Sequence, residues 1–441
     1  MPYQTHELNI ASAEIHSALC SAAKTFSYFS LLETGSALIN SPEVLDKYDF
    51  LAAGGSVNTF SYSDATSNAW KELKNNWRSS PTWWFGILSY DLKNALEKTS
   101  FSRHPQNPNF PEIIFFEPEW VVISEKGIIK LYTHKTRNIE AYSWWDGILV
   151  RGLEGLKKND GVKLKDSLTI NDYLKKANQM KSWIDYGDIY EANLCVPYYG
   201  FGKVEPMCVY KDLQLKAEAP MAGYFQIPST ILISASPERY LSLRKDKHEI
   251  NIYSQPIKGT AARSENLEKD LNSANDLLNS EKERSENTMI VDLVRNDISR
   301  VSKQRSVKVN RYLELRKLPT VYHLVSTIQG VIKDDLDWIS AIEATFPMGS
   351  MTGAPKIRAM ERIDSLETAR RGWYSGALGY VTPEGECDFN VIIRSLLFEK
   401  QDHKWTSWAG SALTIDSDSK KEWDEINLKI DAPKRALDFN N

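Results

Sequence analysis

Short apolar runs bounded by turn-forming residues recur along this chain of 441 residues and constrain its fold more than any other feature. Early in the chain, the runs at 83–88 and 113–116 are rich in Trp, Phe and Ile and have Pro and Asn nearby. Runs of this kind are typical of strands in a buried sheet. Further strand-like runs are at 189–195, 231–236, 240–243, 250–253, 321–331, 375–382 and 389–399, with 244–248 as a hairpin loop.

Helical patterns stand between groups of these runs. Thr169 or Asn171 can cap a helix whose apolar stripe ends before Gly187. A longer helical segment covers about 268–294, and another follows Ser417. Because the strands come in antiparallel runs with helices grouped between them, the sequence predicts an α+β fold and not a wound βαβ sheet.

The polar, lysine-rich stretch 152–168 is the best candidate for a linker. We therefore expect an N-terminal region over residues 1–150 and a second region over residues 169–436. No internal repeat or low-complexity tract interrupts either region.

Composition excludes several classes of protein. A net charge of −4 provides no global positive field for nucleic acid. The four cysteines form no C-x-x-C pair, which favours a reducing compartment. The first residues lack the basic start and apolar core of a signal peptide, and no run reaches the length that spans a bilayer. We expect a cytoplasmic protein with neither a nucleic-acid nor a membrane partner.

Two Glu-x-x-Glu pairs, Glu283/Glu286 and Glu422/Glu425, fall in helical patterns. Residues three apart share a helix face, so each pair points both carboxylates the same way. Like charges this close destabilise each other unless a cation or a proton relieves them. Mg²⁺ suits such a site because it takes oxygen ligands and an anionic substrate group together. Solvated helix faces carry the same spacing, and the pattern alone leaves that alternative open.

Lys258 follows a strand-like run and precedes Gly259 and Thr260, which together predict a tight turn. A lysine at such a turn projects either into solvent or into a cleft, where desolvation can make it a nucleophile. The glycine-rich segment 349–356 leads into a helical pattern, and amides at a helix start bind anions. The segment lacks the Walker pattern, and an ordinary loop-to-helix connection has the same composition.

Four single groups complete the set of candidates. Arg394 stands in an otherwise apolar run and needs an anionic partner, either a structural carboxylate or a substrate. His323 also lies in an apolar run, where a histidine is typically a satisfied core residue. Tyr374 precedes a Ser-Gly pair, and Lys429 shares a helix face with Glu422 and Glu425.

Read together, these segments resemble the chorismate-utilising enzyme family, which includes anthranilate, aminodeoxychorismate, isochorismate and salicylate synthases. The resemblance covers nearly the whole chain and is strongest from about residue 171 onward, and the strings that carry it stand in the family's order. They are GDIYEANL, ASPERYLSL, QPIKGTAAR, ENTMIVDLVRNDISRV, FPMGSMTGAPKIRAMERID, YSGALGY, DFNVIIRSL and AGSALTIDSDSKKEWDEINLK. The resemblance implies one large α+β unit, a sandwich of two extended antiparallel sheets with helices outside. FSLLETG, near residue 31, resembles the segment that binds tryptophan in some members, and whether it does so here stays open.

The resemblance also implies roles for single residues. Glu286 and Glu425 would hold Mg²⁺, with Glu283 and Glu422 as supports. Glu238 would be the general acid that assists departure of the C4 hydroxyl of chorismate, and Lys258 a nucleophile, so we expect a raised pKa for Glu238 and a depressed pKa for Lys258. The implied substrate-binding residues are Gly259, Thr260, His323, Tyr374, Arg394, Gly410, Ser411 and Lys429, with Gly410 and Ser411 in a turn.

Two positions discriminate among the family's reactions. Isochorismate and salicylate synthases carry a lysine base where this chain has Glu191, which weighs against water as the incoming nucleophile. Amine-transferring members usually carry glutamine there, so the role of Glu191 stays open. Lys258 matches the Pro-Ile-Lys-Gly-Thr string of aminodeoxychorismate synthases, whereas anthranilate synthases have alanine in its place.

The implied activity is that of an aminodeoxychorismate synthase component I. Chorismate and ammonia give 4-amino-4-deoxychorismate, for p-aminobenzoate and folate synthesis, through a covalent intermediate on Lys258. No Gly-x-Cys-x-Gly elbow surrounds any cysteine, so we expect ammonia from a separate glutamine amidotransferase subunit. The alternatives are an anthranilate synthase component I of tryptophan synthesis and a non-catalytic chorismate-binding relative.

Overall fold

A computed structural model describes residues 2–35, 47–63, 67–96, 104–107, 109–137, 139–153, 156 and 161–438. The strands, in chain order, are β1 (Tyr3–Leu8), β2 (Phe29–Glu33), β3 (Phe50–Gly54), β4 (Asn58–Tyr62), β5 (Trp84–Leu88), β6 (Ile113–Glu117), β7 (Trp120–Glu125), β8 (Ile128–His134), β9 (Lys165–Asp166), β10 (Glu191–Phe201), β11 (Met221–Gln226), β12 (Thr230–Ser236), β13 (Arg239–Asp246), β14 (Glu249–Gln255), β15 (Ile257–Ala262), β16 (Lys308–Lys317), β17 (Val321–Val331), β18 (Gly353–Ala354), β19 (Ala377–Val381), β20 (Cys387–Asn390), β21 (Ser395–Glu399) and β22 (Lys404–Leu413).

The helices lie mostly in the connections between these strands. They are α1 (Ser12–Ala22), α2 (Ser67–Ser79), α3 (Lys93–Leu96), α4 (Ala141–Gly152), α5 (Ile170–Asp185), α6 (Pro206–Ala217), α7 (Leu267–Asn279), α8 (Glu281–Val301), α9 (Trp338–Thr345), α10 (Lys356–Leu366) and α11 (Ser419–Leu437). Short 3-10 turns cover Ala23–Thr25, Tyr90–Leu92, Lys135–Arg137 and Gly349–Met351.

The strands of the described residues form two antiparallel sheets. The first has twelve strands in the order β1-β8-β7-β3-β2-β11-β12-β21-β22-β10-β18, with β9 beside β10. The second has ten in the order β15-β17-β14-β13-β20-β19-β5-β6-β4, with β16 beside β17. Both sheets contain strands from both sequence regions, because β2 pairs with β11 and β5 pairs with β19.

One apolar layer lies between the two sheets. Phe225 of the first sheet meets Phe116 of the second with ring centroids 5.8 Å apart, within a buried cluster that draws on both. Helices cover the outer faces: α1, α4, α5, α6 and α11 pack on the first sheet, and α2, α8 and α9 on the second. The expected α+β sandwich with outer helices is therefore confirmed.

Local signals explain several element boundaries. The Thr169 side chain accepts from the amide of Asp172 and so caps α5, as the sequence predicts. The helix expected over 268–294 is wrong as one element: it breaks at Ser280, whose hydroxyl accepts from the amide of Glu283 at 3.3 Å and begins α8.

Two strand predictions also need correction. The run at 389–399 is interrupted, because Arg394 has a positive φ of 52° between β20 and β21. The hairpin loop expected over 244–248 is shorter, because β13 and β14 extend to Asp246 and from Glu249. In both places the pairing of distant strands, which local sequence does not display, sets the boundary.

None of the described helices combines the length and apolar character that crossing a bilayer requires. The four cysteines are buried free thiols.

Candidate active site

A cavity of about 210 Å³ collects the residues that the sequence singled out. Every predicted site residue except Ser411 lines it. Its walls come from β15 and β17, from the end of the link before β13, from β22, and from α8 and α11. These segments are far apart in sequence, and the sheet pairing brings them together.

Ser411 is the exception. Ser411 and Gly410 both lie in β22, so the turn expected for them is wrong, and the buried hydroxyl of Ser411 is 3.4 Å from the hydroxyl of Tyr173. Gly410 beside it does face the cavity, and its carbonyl accepts a 3.0 Å hydrogen bond from Lys429. A role for Ser411 through its backbone stays a prediction.

Lys258 projects from a bulged strand instead of a tight turn. Lys258 pairs with Leu324 and Thr260 with His323, so Gly259 is the extra residue, with a φ of 85° that favours glycine. A Cβ on Gly259 would lie 3.1 Å from a carboxylate oxygen of Glu283. The bulge therefore aims Lys258 into the cavity and leaves room for the Glu283 carboxylate beside Gly259.

The Lys258 amine donates to Glu191 Oε1 at 2.7 Å. Burial by itself lowers the pKa of this amine, but the negative charges of Glu191 and Glu286 outweigh burial and raise the pKa above its ordinary value. The depressed pKa expected for Lys258 is therefore wrong for this arrangement. The amine is an ammonium group that must lose a proton before it can act as a nucleophile.

Glu238 lies in the link between β12 and β13. Its amide donates to Ser236 Oγ at 3.2 Å, and its carbonyl accepts from the amide of Val391 at 3.0 Å. Burial raises the pKa of the carboxyl to about 7, against the opposing effects of Ser350 and of the Lys258 charge. The raised pKa expected for Glu238 is confirmed, and the group can hold a proton near neutral pH.

His323 faces the same cavity from β17. Burial, helped by the positive charge of Arg394, lowers its pKa to about 3, so the imidazole is neutral at neutral pH. Its Nδ1 is 3.0 Å from Thr260 Oγ1, which holds the ring in place. A neutral imidazole can donate one hydrogen bond to an oxygen without adding charge.

Arg394 has no carboxylate within salt-bridge distance among the described residues. Burial lowers its pKa, which marks the cost of keeping this guanidinium out of water. Tyr374 lies beside it and stacks on Trp408 with ring planes 13° apart. Arg394 is half-buried and lines the cavity, so a substrate carboxylate as its partner stays a prediction.

Four carboxylates form an acidic wall of the cavity. Glu283 and Glu286 extend from α8, and Glu422 and Glu425 extend from α11. Oε1 of Glu286 is buried without a hydrogen bond, and burial raises the pKa of this carboxyl to about 7. The solvated-helix alternative is therefore wrong for Glu286 and Glu422, which are buried, whereas Glu283 and Glu425 are partly exposed where they line the cavity.

Two ammonium groups partly neutralise this wall. Lys282 lies 3.0 Å from Glu422 and 3.7 Å from Glu286, and Lys429 lies 2.5 Å from Glu425. Among the described residues, no three acidic, His or Cys groups are spaced as a ready-made metal shell. The Glu286 oxygen that lacks a hydrogen bond and the all-oxygen donor set nevertheless fit Mg²⁺, which needs only one or two protein carboxylates.

Several residues of the cavity carry no role in the sequence analysis. Trp408 forms the floor under Tyr374, and Asn193, Ser350 and Met351 line the wall near Glu238. Ser350 and Met351 belong to the glycine-rich segment, which contributes through side chains and not through the start of α10. Lys282, which is outside the cavity lining, directly precedes the first Glu-x-x-Glu pattern, and its spacing of four residues from Glu286 is the signal that could have found it.

A family model described as chorismate binding enzyme matches residues 35–435. The chain belongs to this family.

This chorismate-binding enzyme has relatives named for two products. It is 34% identical to an anthranilate synthase component I-like protein of Synechocystis sp. over 359 residues, 80% of the chain and 72% of that protein. It is 36% identical to aminodeoxychorismate synthase component 1 of Bacillus subtilis over 272 residues, 62% of the chain but only 57% of that protein. It is 31% identical to anthranilate synthase component 1 of Thermus thermophilus over 366 residues, 80% of the chain and 77% of that protein.

Solved structures share the sandwich. Anthranilate synthase component I from Streptococcus pneumoniae superimposes with a TM-score of 0.76 at 23% identity, covering 89% of this chain and 93% of that one. The menaquinone-specific isochorismate synthase from Escherichia coli gives 0.73 at 16% identity, with 99% and 94% covered. These similarities establish the fold of the chorismate-binding enzyme, and its choice of product has to be argued from its own residues.

Proposed function

We propose that this chorismate-utilising enzyme is an aminodeoxychorismate synthase component I, which replaces the C4 hydroxyl of chorismate with an amine. The observation that carries the proposal is Lys258, whose ammonium group enters the cavity from the Pro-Ile-Lys-Gly-Thr string. Curated relatives with this activity support it.

The remaining residues can divide the work on chorismate. Arg394, Tyr374 and Lys429 offer positive charge and a hydroxyl to the substrate carboxylates. Glu238, protonated near neutral pH, gives its proton to the departing C4 oxygen. Neutral His323 donates a hydrogen bond to the same oxygen.

In this proposal Lys258 attacks C2 as the C4 hydroxyl leaves, and ammonia then adds at C4 and expels the lysine. The route splits one difficult displacement into two easier ones.

Glu286 and Glu425 would hold Mg²⁺, with Glu283 and Glu422 beside them. Two observations support this assignment: Glu286 Oε1 lacks a hydrogen bond, and four carboxylates line the same cavity. When bound, Mg²⁺ supplies Lewis-acid neutralisation of a substrate carboxylate.

We also propose that ammonia comes from a separate glutamine amidotransferase subunit, and that the product feeds p-aminobenzoate and folate synthesis. The four free thiols fit a cytoplasmic setting.

The test is a product assay with chorismate, Mg²⁺ and ammonium, analysed by mass. We expect aminodeoxychorismate from the native chain and at least about a 100-fold lower rate from Lys258→Ala, because covalent catalysis is lost. Substitution of the remote, exposed Lys126 by alanine is the matched control. Aminodeoxychorismate formed at an unchanged rate by Lys258→Ala rejects the nucleophile, and a chain that makes neither product is the non-catalytic relative.

Anthranilate synthase component I is the second candidate, because relatives with that name match at 31% identity over 80% of the chain. Anthranilate as the product of the native chain would select it, and Lys258 would then have another role.

A further inference from the structure

Glu191 is a buried carboxylate that the proposed reaction has not yet used. It begins β10, is 1% exposed, and is outside the set of residues that line the cavity. Its Oε1 accepts from the Lys258 amine at 2.7 Å across 67 residues of sequence. Its Oε2 is buried without a hydrogen-bond partner.

The backbone around Glu191 is held tightly. The amide of Tyr190 donates to Ala354 at 2.7 Å, and the amide of Asn193 donates to Thr352 at 2.8 Å. A Cβ added to Gly353 would lie 2.0 Å from the carbonyl oxygen of Glu191, so only glycine permits this approach. The backbone that carries the Glu191 carboxylate is therefore held in one position.

An ammonium group has no lone pair, so Lys258 has to release a proton before its nitrogen can bond to carbon. Its amine also faces the carboxylates of Glu238, Glu283, Glu286 and Glu425 around the cavity, all of them beyond salt-bridge distance. Glu191 is thus the proton acceptor in hydrogen-bond contact among the described residues. Proton transfer to a positioned base accelerates such steps by about 10²- to 10⁴-fold.

We propose that Glu191 positions Lys258 and takes its proton as the bond between Nζ and C2 forms, an inference that rests on the proposed function. One proton passes from Nζ to Glu191, and the freed electron pair forms the bond to C2. The ring double bonds shift, the C4–O bond breaks, and the proton of Glu238 makes the leaving group water. When ammonia adds at C4 and the bond to Nζ breaks, Glu191 returns its proton to Lys258.

The experiment omits ammonia and follows the adduct on Lys258 by intact mass, as an increase equal to chorismate less one water. Glu191→Gln keeps the shape and the hydrogen bond but cannot take a proton. Although amine-transferring members usually carry glutamine at this position, Lys258 of this chain has Glu191 as its proton acceptor in hydrogen-bond contact among the described residues. We therefore expect adduct formation at least about 100-fold slower at pH 7 in Glu191→Gln, with an unchanged Kd for chorismate.

The pH dependence separates proton transfer from simple tethering. In the native chain the proton stays within the pair, whereas in Glu191→Gln it has to go to solvent. The ratio of native to variant rate should therefore fall about tenfold per pH unit from 7 to 9, with the contribution of Glu238 cancelling. A ratio that does not change with pH overturns the proposal, as does a variant as fast as the native chain.

Two further variants test whether the slower adduct formation is specific to the pair of Glu191 and Lys258. Glu399→Gln neutralises another buried carboxylate, paired with Lys404 at 3.1 Å outside the chorismate cavity, and should leave the adduct rate unchanged. Adding Glu191→Gln to Lys258→Ala should not lower the residual product rate further, because the two residues act as a unit. A further fall overturns the proposal.

Adduct formation in the native chain distinguishes a failure of the proposed function from a failure of the role of Glu191. If it forms no adduct on Lys258, the proposed function fails and this inference fails with it. If the adduct forms equally fast in Glu191→Gln, only the role of Glu191 fails.

Discussion

A rise in pH from 6 to 8 should remove the proton that Glu238 gives to the leaving oxygen. Burial raises the pKa of this carboxyl to about 7, so its acid form persists to neutral pH and is lost as the pH rises through that value. The protonated fraction is about 91% at pH 6, about half at pH 7 and about 9% at pH 8. We therefore expect kcat/KM for chorismate to fall about tenfold over this range.

The assay measures initial rates of product formation at low chorismate, because kcat/KM reports the groups of the free enzyme. Total ammonium is adjusted at each pH so that free ammonia stays constant, and Mg²⁺ is in excess. His323, with a pKa of about 3, does not titrate in this window. The pKa of Glu286 is also raised to about 7, but excess Mg²⁺ held by this carboxylate would keep it ionised from pH 6 to 8, so Glu286 would not offset the fall.

Glu238→Gln is the control for this prediction. It should lower kcat/KM by about 10²- to 10⁴-fold and abolish the falling limb while leaving the Kd for chorismate nearly unchanged. If kcat/KM of the native chain is flat or rises between pH 6 and 8, Glu238 is not the acid. If kcat/KM of Glu238→Gln still falls between pH 6 and 8, the same conclusion follows.

Three further predictions follow from the same site and its supports. Arg394→Met should lower kcat/KM at least about 30-fold, because loss of a charge paired with substrate costs about 2 kcal/mol or more. The melting temperature should not fall, and an unaltered KM would contradict this prediction. Glu286→Gln should weaken Mg²⁺ binding by at least about tenfold in calorimetry, while Glu268→Gln, exposed on α7, should not. Ser280→Ala should lower the free energy of unfolding by about 1 kcal/mol in denaturant titrations, with Ser285→Ala near zero, because only Ser280 caps α8; equal effects would reject the cap.

Sequence patterns predicted those parts of the fold that depend on local chemistry. The cap at Thr169 and the strand at 321–331 are examples, since both follow from side chains close in sequence. The break at Ser280 was missed because the apolar periodicity of α7 and α8 reads as continuous across one capping serine. The sandwich itself followed from the family resemblance and not from periodicity.

The candidate site was predictable as a set of residues but not as an arrangement. Arg394 and Lys258 were placed in a strand and a turn, whereas the structure has an interrupted strand and a bulge. Those geometries depend on register against distant strands, which decides which way each side chain points. The same reason hid the contact of Glu191 with Lys258, and with it the raised pKa of the amine.

The acidic wall depends on α11, which carries Glu422, Glu425 and Lys429 to the cavity and also packs its apolar side on the first sheet. During translation, all strands of both sheets have been made before this helix leaves the ribosome. A nascent chain that stops before residue 419 thus contains the strands of both sheets. It has only two of the four carboxylates of the acidic wall, and the face of the first sheet that α11 covers is still exposed. The same helix α11 therefore completes the acidic wall and covers a sheet face that would otherwise promote aggregation.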